Sequence, residues 1–257
     1  MASTRDVVEV AAWLADSGPI TVLTGAGIST ESGIPDFRGP QGLWTNNPGA
    51  AALFDIDTYL GDANVRRRVW HMRRDHPAWT AHPNAAHRAL ADLAAAERLR
   101  AIVTQNIDGL QQAAGTDPDS VIEVHGTLHW VVCLSCDLRT PTPEVLQRLE
   151  EESDPRCLAC GGIQKADTIS FGQRLKPDVL QAAVDAAQSC AAFVAIGTSL
   201  SVQPVAGLCD LALDSGATLI VVNEQPTPYD EQADAVLREP IGEVVPALAE
   251  RMLSTVA

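Results

Sequence analysis

Apolar residues in this chain come in short bursts separated by longer amphipathic stretches. Ile20–Leu23, Ala101–Thr104, Val121–Val124, Ala192–Ile196 and Thr218–Val222 are runs of β-branched and aliphatic residues with little polar alternation. Continuous runs of this length predict strands buried on both faces, as in a parallel sheet. The intervening segments carry a helical period. Val7, Val10, Ala11 and Leu14 share one face of a helix closed by Gly18-Pro19. Residues 84–98 place alanine and leucine on one face, and Pro177–Gln188 does so with Val179, Leu180, Ala183, Val184 and Ala187. Pro204–Leu213 and Val244–Leu253 are similar.

This alternation predicts an α/β fold, a Rossmann-like parallel sheet with helices on both faces. Two segments break it. Residues 40–83 are rich in turn formers, Trp and Arg and show no clear strand, and residues 128–168 hold four cysteines and an acidic patch at Glu144–Asp154. The expected division is a large unit from 1–39, 84–127 and 169–257, with 40–83 and 128–168 forming one small module.

The first strand runs into Thr24-Gly25-Ala26-Gly27-Ile28-Ser29-Thr30. Glycine lets the backbone turn sharply and approach a phosphate closely. The usual dinucleotide fingerprint wants a third glycine where this chain has Thr30, and an acidic residue about 20 positions on, which is missing. Hydride-transfer chemistry is therefore disfavoured. The loop runs on into Pro35-Asp36-Phe37-Arg38, which sets a carboxylate, an aromatic face and a guanidinium beside the turn.

Four further polar segments end predicted strands, where open α/β sheets bind ligands. Thr104-Gln105-Asn106-Ile107-Asp108-Gly109 offers two amides and a carboxylate suited to ribose hydroxyls and a carboxamide; such a turn can also simply cap itself. His125, in Glu123-Val124-His125-Gly126, ends the next strand and is the candidate general base, its ordinary pKa near 6.5 suiting proton transfer at neutral pH. Gly197-Thr198-Ser199 offers small donors and backbone amides, and Asn223-Glu224-Gln225 sits where an adenosine ribose is commonly held. Together they describe one extended dinucleotide site with a histidine at its centre. His82, His87 and His129 are less well placed, and His71 and His76 are expected at the surface.

Composition narrows the class. A net charge of −15 opposes nonspecific binding to nucleic acid or anionic membranes and suits basic protein segments as partners. No apolar run reaches the roughly 18–20 residues that span a bilayer. Arg5, Asp6 and Glu9 interrupt the N-terminal apolar residues, so a secretory signal is not expected and the cytosol (a cytoplasmic location) is. Cys133-x-x-Cys136 and Cys157-x-x-Cys160 have nearly the two-knuckle spacing of a structural zinc site. Disulfides fit the expected compartment poorly, and a redox dithiol does not need two matched pairs. Four thiolates would fill a tetrahedral shell, which makes the metal structural. Cys190 and Cys209 read as core residues.

In these motifs, in their order, and in Pro83-Asn84-Ala85-Ala86-His87, the chain resembles the sirtuin family of NAD-dependent protein-lysine deacylases, over residues from about 7 to 253. The resemblance implies that Gly25, Ala26, Gly27, Thr30, Asp36, Phe37, Arg38, Gln105, Gly197, Thr198, Ser199, Asn223, Glu224 and Gln225 line NAD. It implies that Asn106 and Asp108 hold the nicotinamide ribose and carboxamide, that His125 is the catalytic base, and that Cys133, Cys136, Cys157 and Cys160 bind one zinc. The implied reaction breaks the bond to nicotinamide, passes the acyl group of an acyl-lysine to the ribose, and releases lysine and O-acyl-ADP-ribose. An acyl-lysine protein or peptide would add as a strand against Phe171-Gly172 and Val202. Oligomeric state is not specified, and a monomer is compatible. Protein mono-ADP-ribosyl transfer from the same NAD site is the alternative activity, and a non-catalytic NAD-sensing module a further one.

Departures carry information. Gly39–Thr45 and Asn223–Thr227 look like the branch containing the nuclear, chromatin-directed members, a pattern that would bring Trp44 to NAD and Ile241 to the adenine. Succinyl- and malonyl-preferring members carry Tyr and Arg three positions apart; here the place reads Trp70-His71-Met72-Arg73, so a dedicated desuccinylase is not expected. The usual Phe-Gly-Glu is Phe171-Gly172-Gln173, and Gln111 stands where many relatives have His.

Overall fold

The computed structural model of the chain describes residues 6–39, 42–46, 49 and 53–254; the side chains of Leu43 and Trp44 lie outside that description. In chain order it runs α1 (Val7–Asp16), β1 (Ile20–Thr24), a 3₁₀ turn (Ala26–Ser32), α2 (Leu43–Asn46), α3 (Ile56–Gly61), α4 (Ala63–Arg74), α5 (Ala85–Ala95), β2 (Leu99–Thr104), α6 (Leu110–Ala113) and β3 (Val121–Glu123). It continues β4 (Gly126–Cys133), β5 (Arg139–Pro141), α7 (Thr142–Gln147), β6 (Gln164–Thr168), α8 (Pro177–Gln188), β7 (Ala192–Ile196), α9 (Leu208–Asp214), β8 (Thr218–Val222), β9 (Ala235–Leu237) and α10 (Ile241–Ser254).

Among the described residues, β3-β2-β1-β7-β8-β9 form a six-stranded sheet, every neighbouring pair parallel. The apolar runs explain it. Val22, Val194, Ile196, Ile220 and Val222 face one side, where α1, α5 and α10 close a core with Val10, Leu14, Leu90 and Leu248. Leu23, Val103, Phe193, Ala195, Leu219 and Val221 face the other, under α8 and α9 with Ala183, Ala187, Leu208 and Cys209. Successive strand residues alternate between two buried layers, so no polar position is tolerated within β7. Cys190 and Cys209 are buried in this second layer, as expected.

Helix starts follow local chemistry. The Asp6 carboxylate accepts from the Glu9 N–H at 2.8 Å, and Asn84 caps α5 through Ala86 and His87. Expected strand β1 gains Thr24, and β2 begins two residues early at Leu99. Helix α9 begins at Leu208, four residues later than predicted, after a 3₁₀ turn at Val205–Gly207. Strand β9 and all three strands of the second sheet were not foreseen.

That second sheet, β5-β4-β6, is antiparallel and carries the cysteines. The helical insert packs on it. Trp70 of α4 is buried with Val131 and Val145, the Tyr59 hydroxyl of α3 donates to the Gln164 carbonyl at 2.6 Å, and Arg66 pairs with Asp154 at 2.8 Å. Among the described residues, no helix is long and apolar enough to cross a membrane.

Candidate active site

Strand order across the sheet places the turn after β1 between the turns after β2 and β7, the point where that order reverses and open sheets leave a crevice. The glycines there have a specific task. A Cβ on Gly25 would lie 2.7 Å from the Gly197 carbonyl oxygen, one on Gly27 2.8 Å from the Gly197 Cα, and one on Gly197, at φ +63°, 2.4 Å from the Ile28 nitrogen. They let two loops interlock, the Gly27 N–H donating to the Gly197 carbonyl at 2.8 Å. Their lack of a side chain thus also serves packing: the loop of β7 fills the space a Cβ would take. Gly25 also precedes the 3₁₀ turn with no side chain to cover its first N–H groups, which remains suited to an anion.

A polar network ties this turn to the next. Asn106 Nδ2 donates to the Gly25 carbonyl at 3.0 Å and to Ser29 Oγ at 3.1 Å, and Ser29 Oγ donates to Asp108 Oδ2 at 2.8 Å. The other Asp108 oxygen accepts from the Leu110 N–H at 3.0 Å, so this carboxylate is buried with both oxygens engaged. Beneath it lies His87, fully buried, its Nε2 3.5 Å from Ser29 Oγ and its Nδ1 2.9 Å from Asn84 Oδ1. Burial drives its pKa down to about 4, against the pull of Asp108, so the ring is neutral. His129 Nε2 sits 3.0 Å from the Asp108 carbonyl, and its ring meets Trp79 edge to face. The resemblance included the Pro83–His87 motif, yet the positions of Ser29, His87 and His129 under Asn106 and Asp108 were not foreseen; the buried, β-branch-flanked Ser29 inside an otherwise glycine-rich turn was the available signal.

His125 reaches the same crevice from the end of β3. Its Nδ1 lies 3.1 Å from the Gln105 carbonyl, and its own carbonyl accepts from the Ile169 N–H at 2.8 Å. Burial lowers its pKa, and the Gln105 carbonyl partly offsets that. A neutral imidazole fixed by one nitrogen can accept a proton at the other. Gln105 Nε2 donates to Thr198 Oγ1 at 2.8 Å, so the buried Thr198 also braces the two loops. Ser199 Oγ faces Ser201 Oγ at 2.8 Å.

The remaining expected residues surround this centre. Thr30 is exposed, its hydroxyl donating to the Gly27 carbonyl, and Ala26 is half-buried. Asp36 turns back on its own loop, accepting from the Gly39 N–H at 3.1 Å, which gives it a loop-closing role. The Phe37 ring meets Phe54 edge to face at 6.1 Å, and burial lowers the pKa of the half-exposed Arg38. Asn223 Nδ2 donates to the Gln225 carbonyl, and Arg238, also unforeseen, donates to the carbonyls of Asn223 and Gln225 while pairing with Asp230. Glu224 and Gln225 are exposed, and Ile241 opens α10, packed against the core. The Trp44 side chain lies outside the described residues.

At the module edge, Phe171 is exposed at 45% and bridges Phe54–Ile56 through two backbone bonds of 2.7 and 3.0 Å. Gly172 follows at φ +83°. Gln173 Oε1 accepts from the Ser170 N–H at 2.9 Å, so it supplies the acceptor a glutamate would, without the charge. Val202 is half-buried. Arg73 and Lys165 are both buried beside Phe54 and Ser170, and burial brings Arg73 down to about 10 and Lys165 to about 7. His76 was expected at the surface; it is half-buried, its Nδ1 accepts from the Ala78 N–H, and burial takes it down to about 4. Gln111 is buried with neither amide atom paired among the described residues.

The four thiols of Cys133, Cys136, Cys157 and Cys160 lie within 4.8 Å of one another. Neighbouring sulfurs are 3.4, 3.5 and 3.7 Å apart. Zinc bonded to sulfur at about 2.3 Å sets a tetrahedral edge of about 3.8 Å, so the residues fit one such ion and are too far apart for disulfides. The Ser135 N–H donates to Cys133 Sγ and helps bring that thiol down to about 6, favouring the thiolate a metal needs.

Comparison with known proteins agrees with this geometry. The Sir2 family model matches residues 25–204. The chain is 53% identical over 230 residues to NAD-dependent protein deacetylase 2 of Streptomyces coelicolor, covering 89% of this chain and 95% of that protein. It is 40% identical over 253 residues to NAD-dependent protein deacetylase 1 of Pyrobaculum aerophilum, covering 97% and 96%. Among solved structures, Sir2 with a p53 peptide and NAD+ superposes with a TM-score of 0.86 at 32% identity, covering 98% of this chain and 100% of that one. Sir2 bound to a propionylated peptide superposes with a TM-score of 0.85 at 31% identity, covering 96% and 98%. The chain belongs to the Sir2 family.

Proposed function

We propose that this protein is an NAD-dependent protein-lysine deacylase whose base is His125. The observation that carries this reading is a neutral histidine, oriented by the Gln105 carbonyl, in one crevice with the Asn106–Ser29–Asp108 network. Relatives named as NAD-dependent protein deacetylases, and neighbours holding NAD+ or acylated peptides, support it. NAD supplies a glycosidic bond to nicotinamide whose cleavage makes the ribose carbon electrophilic. The residues here divide the remaining work. Gly25, Ala26, Gly27 and Thr30 receive the phosphates, with Gly197 and Ser199 beside them. Asn223, Glu224, Gln225 and Ile241 hold the adenosine end. Asn106 and Asp108 orient the nicotinamide half, and Phe37 and Arg38 close over it and exclude water. His125 takes a proton from a ribose hydroxyl so that this oxygen can receive the acyl group.

In the same reading, 1–39, 84–127 and 169–257 form the NAD-binding unit, 40–83 and 128–168 the small module, and an acyl-lysine peptide lies between Phe171-Gly172 and Val202. The zinc holds the module together and takes no part in the chemistry. The likeness of Gly39–Thr45 and Asn223–Thr227 to chromatin-directed members bears on those two loops alone, since the relatives above are bacterial and archaeal. Incubation with NAD and a panel of acetyl-, propionyl- and succinyl-lysine peptides, read by mass spectrometry, tests the proposal. Loss of the acyl mass with equal O-acyl-ADP-ribose supports it; ADP-ribose added to protein with the acyl group retained would establish the transferase alternative.

A further inference from the structure

A cleft of about 380 Å³ lies behind the histidine-bearing segment. Glu123, Val124, Gly126 and Thr127, on either side of His125, line it, while the His125 ring turns to the Gln105 carbonyl. Side-chain packing therefore does not fill the space behind this segment. Val124 anchors one end of it in the core, and backbone contacts hold the rest. The Val124 N–H donates to the Thr104 carbonyl at 3.0 Å, and the Ile169 N–H donates to the His125 carbonyl at 2.8 Å. Gly126, at φ +74°, pairs with Thr168, so closely that a Cβ there would lie 2.1 Å from the Asp167 carbonyl oxygen. Two of these three contacts come from the end of β6.

Lys165 and Arg73 both donate to Thr168 at the end of β6, and one carboxylate ties that end to the surroundings of both sheets. Asp167 is 5% exposed, and its oxygens accept from Arg139 Nε at 2.8 Å and Lys176 Nζ at 2.9 and 3.2 Å. Arg139 belongs to β5 of the cysteine-bearing sheet and also lies over Trp130, 4.9 Å from its ring centre. Lys176 immediately precedes α8 of the large sheet's layer. Burial alone would raise the Asp167 carboxyl; Lys176 and Arg139 outweigh it and keep the group ionised. A buried carboxylate with two cations from two different sheets' surroundings is a directional clamp, because both bonds must be kept to offset its desolvation.

We propose that Asp167 is a positioning residue for His125. Its clamp between Arg139 and Lys176 fixes the end of β6 against both sheets, together with the bonds to Thr168, and so fixes where the Ile169 N–H holds the histidine carbonyl. The inference rests on the assignment of His125 as base. Without the clamp, the segment relaxes toward the cleft and the ring loses its register on Gln105, while the turns that receive NAD and the edge that receives peptide stay in place. The effect therefore falls on kcat and spares KM.

The test uses the zinc-loaded full chain with Asp167→Asn and, separately, Lys176→Met, which leaves β6 itself unaltered. Asp167→Asn is expected to lower kcat by roughly tenfold to a hundredfold, the scale of an ångström-level misplacement. KM for NAD and for acetyl-peptide should stay within about twofold, and zinc content should be unchanged. Lys176→Met should show a smaller fall in the same parameter, with faster hydrogen exchange at the Ile169 amide in both variants. Unchanged kcat in Asp167→Asn overturns the proposal. If that variant does not fold, Lys176→Met decides alone: a lower kcat at constant KM supports the proposal, and a wild-type kcat overturns it. Turnover retained in His125→Ala is a separate result that would remove the base assignment itself.

Discussion

Strands β6 and β7 have the same length and the same burial at every position, yet opposite chemistry: Gln-Lys-Ala-Asp-Thr in one, Ala-Phe-Val-Ala-Ile in the other. β7 is held by apolar contact on both faces, a force without direction that tolerates small shifts. β6 is held by specific bonds. The Gln164 carbonyl accepts from Tyr59, Lys165 donates to the Ala166 carbonyl, and Asp167 joins Arg139 and Lys176. Burying polar groups this way is costly unless every bond is made. The cost falls beside His125, where fixed geometry matters most, while the apolar strands form the platform. The two regions should therefore fail differently.

The largest separation is expected on losing the metal site. Replacing Cys157 with Ser removes one of four thiolates, and structural zinc is worth on the order of 10 kcal/mol in such sites. Amides of β4 and β6 should lose protection and activity should vanish, while amides of β1, β7 and β8 stay protected; equal loss in both sheets by hydrogen exchange would erase the distinction. His125→Ala should cut kcat/KM by about 10²–10⁴-fold with a Tm within about 2 °C of the parent, because the ring contributes chemistry and little packing. Phe193→Ala, at the second position of β7, should cost about 3–5 kcal/mol of global stability by denaturant titration without altering zinc content.

A smaller effect comes from pH. Lys165 is brought down to about 7 by burial, whereas an unfolded chain keeps that proton to about 10.5. Between those values the unfolded state binds more protons, so the protection of β6 should rise with pH, by a few kcal/mol at most. β7 has no titrating group and should show no such trend once exchange chemistry is corrected for. In Lys165→Met the trend in β6 should disappear.

The same contrast explains what the sequence made legible. Ala192–Ile196 and Thr218–Val222 were read to the residue because a doubly buried parallel strand has to be apolar throughout. Gln164–Thr168 carries no apolar pattern at all, since its burial depends on partners up to 105 residues away in sequence. β4 shows no clean alternation, and β9 is three residues inside a polar loop. The site divides along similar lines. Turns at strand ends announce themselves by clustered Asn, Asp, His and Gly, and the thiols by spacing. The mutual interlock of Gly25, Gly27 and Gly197, the bond from Gln105 to Thr198, and the seat of His87 under Ser29 depend on loops meeting in space, which no local pattern encodes.

The most direct measurement is a mass balance on one reaction: purified zinc-loaded protein with NAD and an acetyl-lysine peptide, run beside His125→Ala. Nicotinamide, deacetylated peptide and O-acetyl-ADP-ribose appearing in equal amounts with the parent, and none with the variant, is the predicted result. Peptide that keeps its acetyl group while NAD is consumed, or equal turnover by the variant, would contradict a deacylase built on His125.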